Sequence, residues 1–213
     1  MTDGQRIGVA HFTNIAHLAT IIEHGLLCDD SAKAAGRLQV DVGDHDVKDR
    51  RATREVPVSP GGTVSSYVPF YFAARSPMMY KIWRGQVRTY GGGQEPLVYL
   101  VSSVQRLMQE GCTLVVTDGN AANNPTKFSN DIADLGTFLD FDVLRSTQWN
   151  NTAEDPDRMR RRMAECLAHE AVPSSAVERI VSQTEATASS ARGILARMGV
   201  ELVVDVNPRW YYP

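Results

Sequence analysis

Four arginines lead into a glutamate within one short stretch of this 213-residue chain. The stretch reads DPDRMRRRMAECLAHE over residues 155–170, with Arg158, Arg160, Arg161 and Arg162 running into Glu165. Guanidinium groups grip phosphates through forked, charge-assisted hydrogen bonds. A carboxylate beside them stabilises positive charge developing at a reacting carbon. Together they suit an enzyme that holds a polyanion next to a polar reacting centre. Taken alone, such a run is more often a solvated basic face with a surface glutamate. Two further groups carry chemistry. His11, Phe12 and Thr13 close the apolar run IGVAHFT, and Arg50 and Arg51 follow Lys48 in VKDRR. A lone histidine at a strand end is, by itself, more often a satisfied core residue.

The elements that must position these groups can be read from spacing. Asp155-Pro156 looks like an N-cap followed by a first-turn proline, so a helix is predicted over 156–163. Met159, Met163 and Leu167 would form its apolar stripe if the helix continues. If the chain turns extended after Met163, Glu165, Leu167 and His169 share one face, and Ala164, Cys166 and Ala168 the other. Periodicity leaves both open. IGVAHFT is a first strand. Thr13 or Asn14 then caps a helix to His24, with Ile15, Leu18, Ile21 and Ile22 inward and Gly25 as its stop. Residues 29–66 are polar and predict a long mobile loop or a short helix. YVPFYFAAR over 67–75 is the strongest strand signal, and Pro69 places it at an edge, a bulge or a strand start. Ser76-Pro77 opens a short helix. The aromatic cluster of Tyr67, Phe70, Tyr71, Phe72, Tyr80 and Trp83 divides between core packing and a flat surface for a nucleotide ring or base. Strands follow at 96–103 and 112–120 around a short helix. Residues 121–156 form a long polar excursion. A helix is expected near 174–180, a polar helix through Arg197, a last strand at 201–207, and a tail packed on the sheet.

Bulk properties bound the class. At 43% hydrophobic and 22% charged, the chain is globular in composition. Its net charge of −3 argues against a dedicated duplex-DNA binder. Local basic patches still bind phosphate. Three scattered cysteines predict a reducing compartment and no disulfide framework. No secretion signal, membrane-spanning run or metal-ligand spacing is present, so neither a membrane nor a metal is expected.

Taken in order, HFT, VKDRR, YVPFYFAARSPMMY, DGNAA, TKFS, LGTF, DFD, QWNN and RRRMAECLAHEAVP resemble the DarT toxins. The resemblance runs from residue 11 to about 175. It implies an α+β, ADP-ribosyltransferase-like fold: a split mixed β-sheet core with a central NAD cleft, formed by a single domain over 1–213. It also implies that Glu165 sits on a strand at the cleft, fed by the helix at 156–163. The implied activity is transfer of ADP-ribose from NAD, a co-substrate, to thymidine bases in single-stranded DNA. Arg51 and Glu165 are the implied catalytic pair. His11, Phe12, Thr13, Thr20, Cys28, Arg51 and Tyr71 are the implied NAD contacts, although many relatives carry glycine where Thr20 stands. Tyr80, Arg145, Trp149, Arg158 and Arg161 would hold the nucleic acid, with residues 118–157 as the substrate-recognising loop. A separate macrodomain antitoxin and a cytoplasmic location are implied as well.

Cleaving the nicotinamide–ribose bond passes through an oxocarbenium-like ribose, as in glycoside hydrolysis, and a carboxylate that binds a ribose hydroxyl favours it. Arginine stays protonated at ordinary pH. Arg51 is therefore either a base in a special environment or a cation that stabilises the deprotonated thymine ring and the NAD pyrophosphate. Guanine, RNA or protein acceptors are the alternatives within the fold. Protein-modifying relatives use a Glu or Gln two residues before the glutamate, and this chain has Met163 there. Outside it stands a non-catalytic nucleotide-binding module.

Overall fold

The computed structural model describes residues 6–133 and 135–213. Its strands are β1 (Gly8–Asn14), β2 (Leu26–Leu27), β3 (Tyr67–Tyr71), β4 (Leu97–Ser103), β5 (Leu114–Thr117), β6 (Phe128–Ser129), β7 (Glu165–His169), β8 (Ala171–Val172), β9 (Arg179–Ser182) and β10 (Val203–Val206). Its α-helices are α1 (Leu18–His24), α2 (Asp29–Ala34), α3 (His45–Thr53), α4 (Pro77–Trp83), α5 (Val104–Gln109), α6 (Leu135–Phe138), α7 (Phe141–Arg145), α8 (Arg158–Arg162) and α9 (Glu185–Arg197). The main sheet runs in the order β10-β9-β4-β1-β3-β7-β5-β6, and β2 pairs with β8 beside it. β9 and β10 are parallel and the other neighbours antiparallel, so the fold is α+β with a mixed sheet.

The pleat sorts the side chains. Val9, Val68, Phe70, Cys166 and Ala168 join the larger core with Leu18 and Ile21 of α1 and Ala188, Ala191 and Leu195 of α9. Ala10, Phe12, Leu97 and Tyr99 point the other way, onto Met79 and Ile82 of α4. The tail closes that second face: Tyr211 is fully buried, and its hydroxyl donates to the carbonyls of Leu97 (3.0 Å) and Val181 (2.9 Å).

The sheet is split near its middle. β1 pairs along β4 from Gly8 opposite Ser103 to Asn14 opposite Leu97. β3 pairs along β7 from Tyr67 opposite His169 to Tyr71 opposite Glu165. Between β1 and β3, the register among described residues is Ala10 opposite Tyr71 alone. Two half-sheets are thus joined at one point, and a cleft opens beside the junction. Pro69 shows why this is tolerated. Its carbonyl accepts from His11 Nδ1 at 2.8 Å on the β1 side. A strand residue's N and O point the same way, so the missing N–H of Pro69 also faces the gap, where no ladder partner is required. Of the edge, bulge or strand start that the sequence allowed for Pro69, the structure shows an edge, and that edge is internal.

Several expectations change. Residues 29–66, expected as a mobile loop or a short helix, carry two helices, α2 and α3, with Asp44 capping α3 by accepting from the Asp46 and Val47 N–H groups. α8 begins at Arg158, not at Pro156, because the Asp155 carboxylate pairs with Arg161 at 2.6 Å instead of capping. α8 ends at Arg162, so no continuous helical stripe reaches Leu167. The segment after Pro173 is a short 3₁₀ turn and then β9, not a helix, because Ile180 and Val181 are buried in a strand lying between β4 and β10. Gly25 ends α1 as expected, at φ 81°, and any Cβ there would stand 2.8 Å from the Val172 carbonyl oxygen. No helix among the described residues is long and apolar enough to cross a membrane.

Candidate active site

β7 begins at Glu165, and its placement follows from pairing. Phe70, Cys166 and Val116 are apolar and buried, so β7 is held between β3 and β5. Its first residue is then set opposite Tyr71 at the cleft. Glu165 is only 1% exposed. Its Oε2 accepts from Arg51 Nη1 at 2.8 Å, and its Oε1 accepts from the Ala121 N–H at 3.2 Å. Its own N–H donates to Thr117 Oγ1 at 3.1 Å, and that hydroxyl donates to the Gly119 carbonyl at 2.7 Å. The turn Asp118-Gly119-Asn120-Ala121 therefore grips the carboxylate from behind.

Arg160 fixes that turn. Its Nη1 donates to Asp118 Oδ1 at 2.8 Å, and its Nε and Nη2 donate to Asp157. The close packing needs glycine at 119: a Cβ there would stand 2.6 Å from Arg160 Nη1 and 3.0 Å from the Arg160 carbonyl oxygen.

Arg51 reaches the carboxylate from the last turn of α3. Burial weakens its charge, but Glu165 beside it outweighs that, and the guanidinium stands above its ordinary value. Arg51 Nη2 is buried with no hydrogen-bond partner. A buried unpaired donor is costly, so this N–H pair would favour an acceptor brought within its reach. Burial, with Glu165 close by, pushes the Tyr71 phenol up, so it stays protonated.

The cleft has a volume of about 500 Å³ and is lined by residues of both half-sheets and of the 37–51 segment. From β1 come His11, Phe12 and Thr13, from β3 Tyr71, from α1 Thr20. His11 donates through Nδ1 to the Pro69 carbonyl, which leaves Nε2 as an acceptor. Burial lowers its pKa to about 4, so the ring is neutral. Phe12 stacks on Tyr71 at 6.0 Å between centroids. The outer wall is tied by ion pairs: Lys48 lies 2.6 Å from Asp29 and 2.7 Å from Asp41, and Lys81 lies 2.8 Å from Asp44.

Cys28 is placed elsewhere. It belongs to the buried core and its sulfur caps α2 by accepting from the Ser31 N–H, while Leu27 and Asp29 on either side line the cleft. A thiol used as a cap and packed inward does not face the cleft. The expected nucleic-acid residues divide. Tyr80 and Trp149 are half-buried ring neighbours at 5.7 Å, joined by Trp83 and Tyr212. α4, which carries Tyr80, also lines the cleft through Pro77, Met78 and Lys81. Arg145 is exposed, 3.9 Å from Asp142. Arg158 donates to Ser146 Oγ and the Gln148 carbonyl, and Arg161 forks onto Asp155. These two guanidinium groups brace the 140–157 segment.

Sequence reasoning singled out neither His17, Asp41 nor Asn120, all of which line the cleft. Only His17 had a readable signal, its four-residue spacing from Thr13. Among the described residues no cluster of His, Cys, Asp and Glu is disposed to hold a metal ion.

A split mixed sheet with a paired carboxylate and guanidinium at the cleft defines an ADP-ribosyltransferase fold. The comparisons carry this to a family. A family model described as "ssDNA thymidine ADP-ribosyltransferase, DarT" matches residues 10–212. The chain is 39% identical over 207 residues to a DNA ADP-ribosyl transferase of Mycobacterium tuberculosis, covering 96% of this chain and 88% of that one. Two solved structures of Thermus sp. 2.9 DarT superpose on it at 29% identity. The complex with ADP-ribosylated single-stranded DNA gives a TM-score of 0.88, covering 97% of this chain and 96% of that one. The complex with NAD+ gives 0.85, covering 97% and 98%. The chain belongs to the DarT family of NAD-dependent DNA ADP-ribosyltransferases.

Proposed function

We propose that this enzyme transfers ADP-ribose from NAD to thymidine bases in single-stranded DNA and releases nicotinamide. We further propose that it acts as a cytoplasmic toxin, as one domain over 1–213, held in check by a separate macrodomain antitoxin that removes the mark. The observation that carries the transfer is Glu165, buried at the cleft with both oxygens held and Arg51 alongside. A carboxylate clamped in this way is preorganised to accept from a ribose hydroxyl and to stabilise an oxocarbenium-like ribose as the nicotinamide bond breaks. His11 Nε2 as acceptor and the Thr13 hydroxyl contact NAD from β1, with Phe12 and Tyr71 supplying apolar ring surface and Thr20 the helix wall. Arg51, protonated, acts as the cation that stabilises the deprotonated thymine ring, with the unpartnered Nη2 free to donate to it. Its raised pKa speaks for this role and against proton abstraction. Tyr80 and Trp149 stack flanking bases, and Arg145, with any guanidinium N–H left over on Arg158 and Arg161, meets phosphates.

The test is transfer of label from NAD to short oligonucleotides, with wild type and Glu165→Ala. Wild type should label single strands that contain thymidine, and leave thymidine-free strands, duplex and RNA unlabelled; Glu165→Ala should label none. Labelling of thymidine-free strands removes the base assignment. Labelling by Glu165→Ala removes the carboxylate from the centre. Induced expression that leaves host growth unaffected removes the toxin role.

A further inference from the structure

His17 sits at the end of the 3₁₀ turn that follows β1, 6% exposed, between the floor of the cleft and its outer wall. Its Nε2 lies 3.0 Å from the backbone nitrogen of Val40. A backbone N–H can only donate, so Nε2 carries the lone pair. The neutral ring must then hold its proton on Nδ1. Nδ1 lies 2.9 Å from Thr13 Oγ1, so the ring donates to that hydroxyl. Thr13 has one donor proton and two lone pairs. With one lone pair occupied by His17, its own O–H is left to donate, and Thr13 lines the cleft.

One imidazole thus contacts a β1 hydroxyl and pins a segment that lines the cleft. Val40 and its neighbours Asp41, Val42 and Gly43 line the cleft wall. We propose that His17 is a positioning residue for NAD: its neutral ring latches the 38–43 segment to β1 and aims the Thr13 hydroxyl, so that its protonation opens the latch and weakens NAD capture. This rests on the assignment of the cleft as the NAD site.

Protonated, the ring would present N–H to N–H at Val40, and that bond is lost. The charged groups around it are mixed. Asp41, on the latched segment, favours the cation; Lys48 of α3, held by Asp41 and Asp29, opposes it; His11, across β1, is neutral. Burial is the largest influence and disfavours charge. The sign follows. The latch is complete above the ordinary imidazole value of 6.5 and is lost as pH falls through the depressed folded value. His11, held at about 4, does not titrate over the upper part of that range.

The experiment measures KM for NAD and kcat from about pH 7.5 down to about pH 5 for wild type, His17→Ala and His17→Gln. It also reads the ring tautomer of His17 by nitrogen NMR in the protein without NAD. Expected at the higher pH is a KM for His17→Ala raised about tenfold, the equivalent of about 1.4 kcal/mol, with kcat far less affected. His17→Gln, whose side-chain carbonyl can accept from Val40, should restore KM. The wild-type KM should rise on acidification while that of His17→Gln stays flat. Equal KM for wild type and His17→Ala, or parallel pH profiles for wild type and His17→Gln, overturns the proposal. So does a resting ring protonated on Nε2, a result that stands even if His17→Ala does not fold. Wild type that neither binds nor consumes NAD fails the cleft assignment instead, and the tautomer still decides whether the latch exists.

Discussion

At the scale of the residue, Glu165 and Arg51 are defined by each other. A carboxylate 1% exposed is tolerated because a guanidinium at 2.8 Å and a backbone N–H at 3.2 Å replace the lost water. Glu165→Gln keeps the acceptor for Ala121 and removes the charge. Turnover of NAD should fall by about 10²–10³, the usual worth of a preorganised electrostatic contact, while NAD binding persists. Initial rates set beside a binding titration check this; full turnover by the glutamine variant would show that shape and not charge matters. The family pattern in the sequence singles out Glu165 and Arg51, and the structure brings the two side chains together. His17 was legible only by half: its four-residue spacing from Thr13 could be read, but its contact with Val40, 23 residues away in sequence, could not, because no spacing rule reaches a loop contact.

At the scale of the element, the Asp118–Ala121 turn and α8 act as one support. Arg160 joins them, and Gly119 lets them approach. In Gly119→Ala the new methyl meets the Arg160 carbonyl oxygen, which cannot swing aside as a side chain can. The turn must move off α8 and take the Ala121 N–H with it. The expected cost is about 1–3 kcal/mol of stability, the range for overpacking, seen as a lower melting temperature. Loss of that hydrogen bond to a charged group should also lower kcat by about tenfold, from a contact worth roughly 1.5 kcal/mol or more. A variant with wild-type melting and turnover would rule the support out. The arginine run, which reads in sequence as a phosphate-gripping face, is here largely a brace. Arg160, Arg161 and Arg162 tie α8 to Asp118, Asp157, Asp155, Leu144 and Ala74.

At the scale of the whole molecule, two of the three arginines expected at the nucleic acid, Arg158 and Arg161, are held by the protein itself, and the net charge is −3. Single-strand binding loses about 0.7 in log K per decade of salt for each phosphate neutralised. A slope between about −1 and −2 is therefore expected for a thymidine-containing oligonucleotide, with stacking supplying much of the rest. Fluorescence anisotropy across a salt series measures it. A slope steeper than about −4 would mean that cations beyond Arg145 meet the backbone, from the bracing arginines or from elsewhere on the surface, and would overturn the stacking-dominated account.

Much of the architecture was legible because local chemistry and burial agree in it. IGVAHFT, YVPFYF and PLVYLVSS are strands on β-propensity, Ser76-Pro77 starts a helix, and Gly25 stops one where only glycine clears the Val172 carbonyl. β9 was misread as helix because RIVS is four residues with no flanking turn signal, and only its slot between β4 and β10 makes it extended. Asp155 was misread as a cap because the sequence shows a capping residue type but not that Arg161 would reach it first. By itself, then, the sequence determined which residue types stand at the ends of which strands, since propensity and capping act over a few neighbours. The tertiary structure alone decided that the Ala121 N–H and Tyr71 join Glu165, that Cys28 turns inward and that His17 bridges two walls. Those outcomes depend on register and on contacts between distant segments, which no local preference encodes.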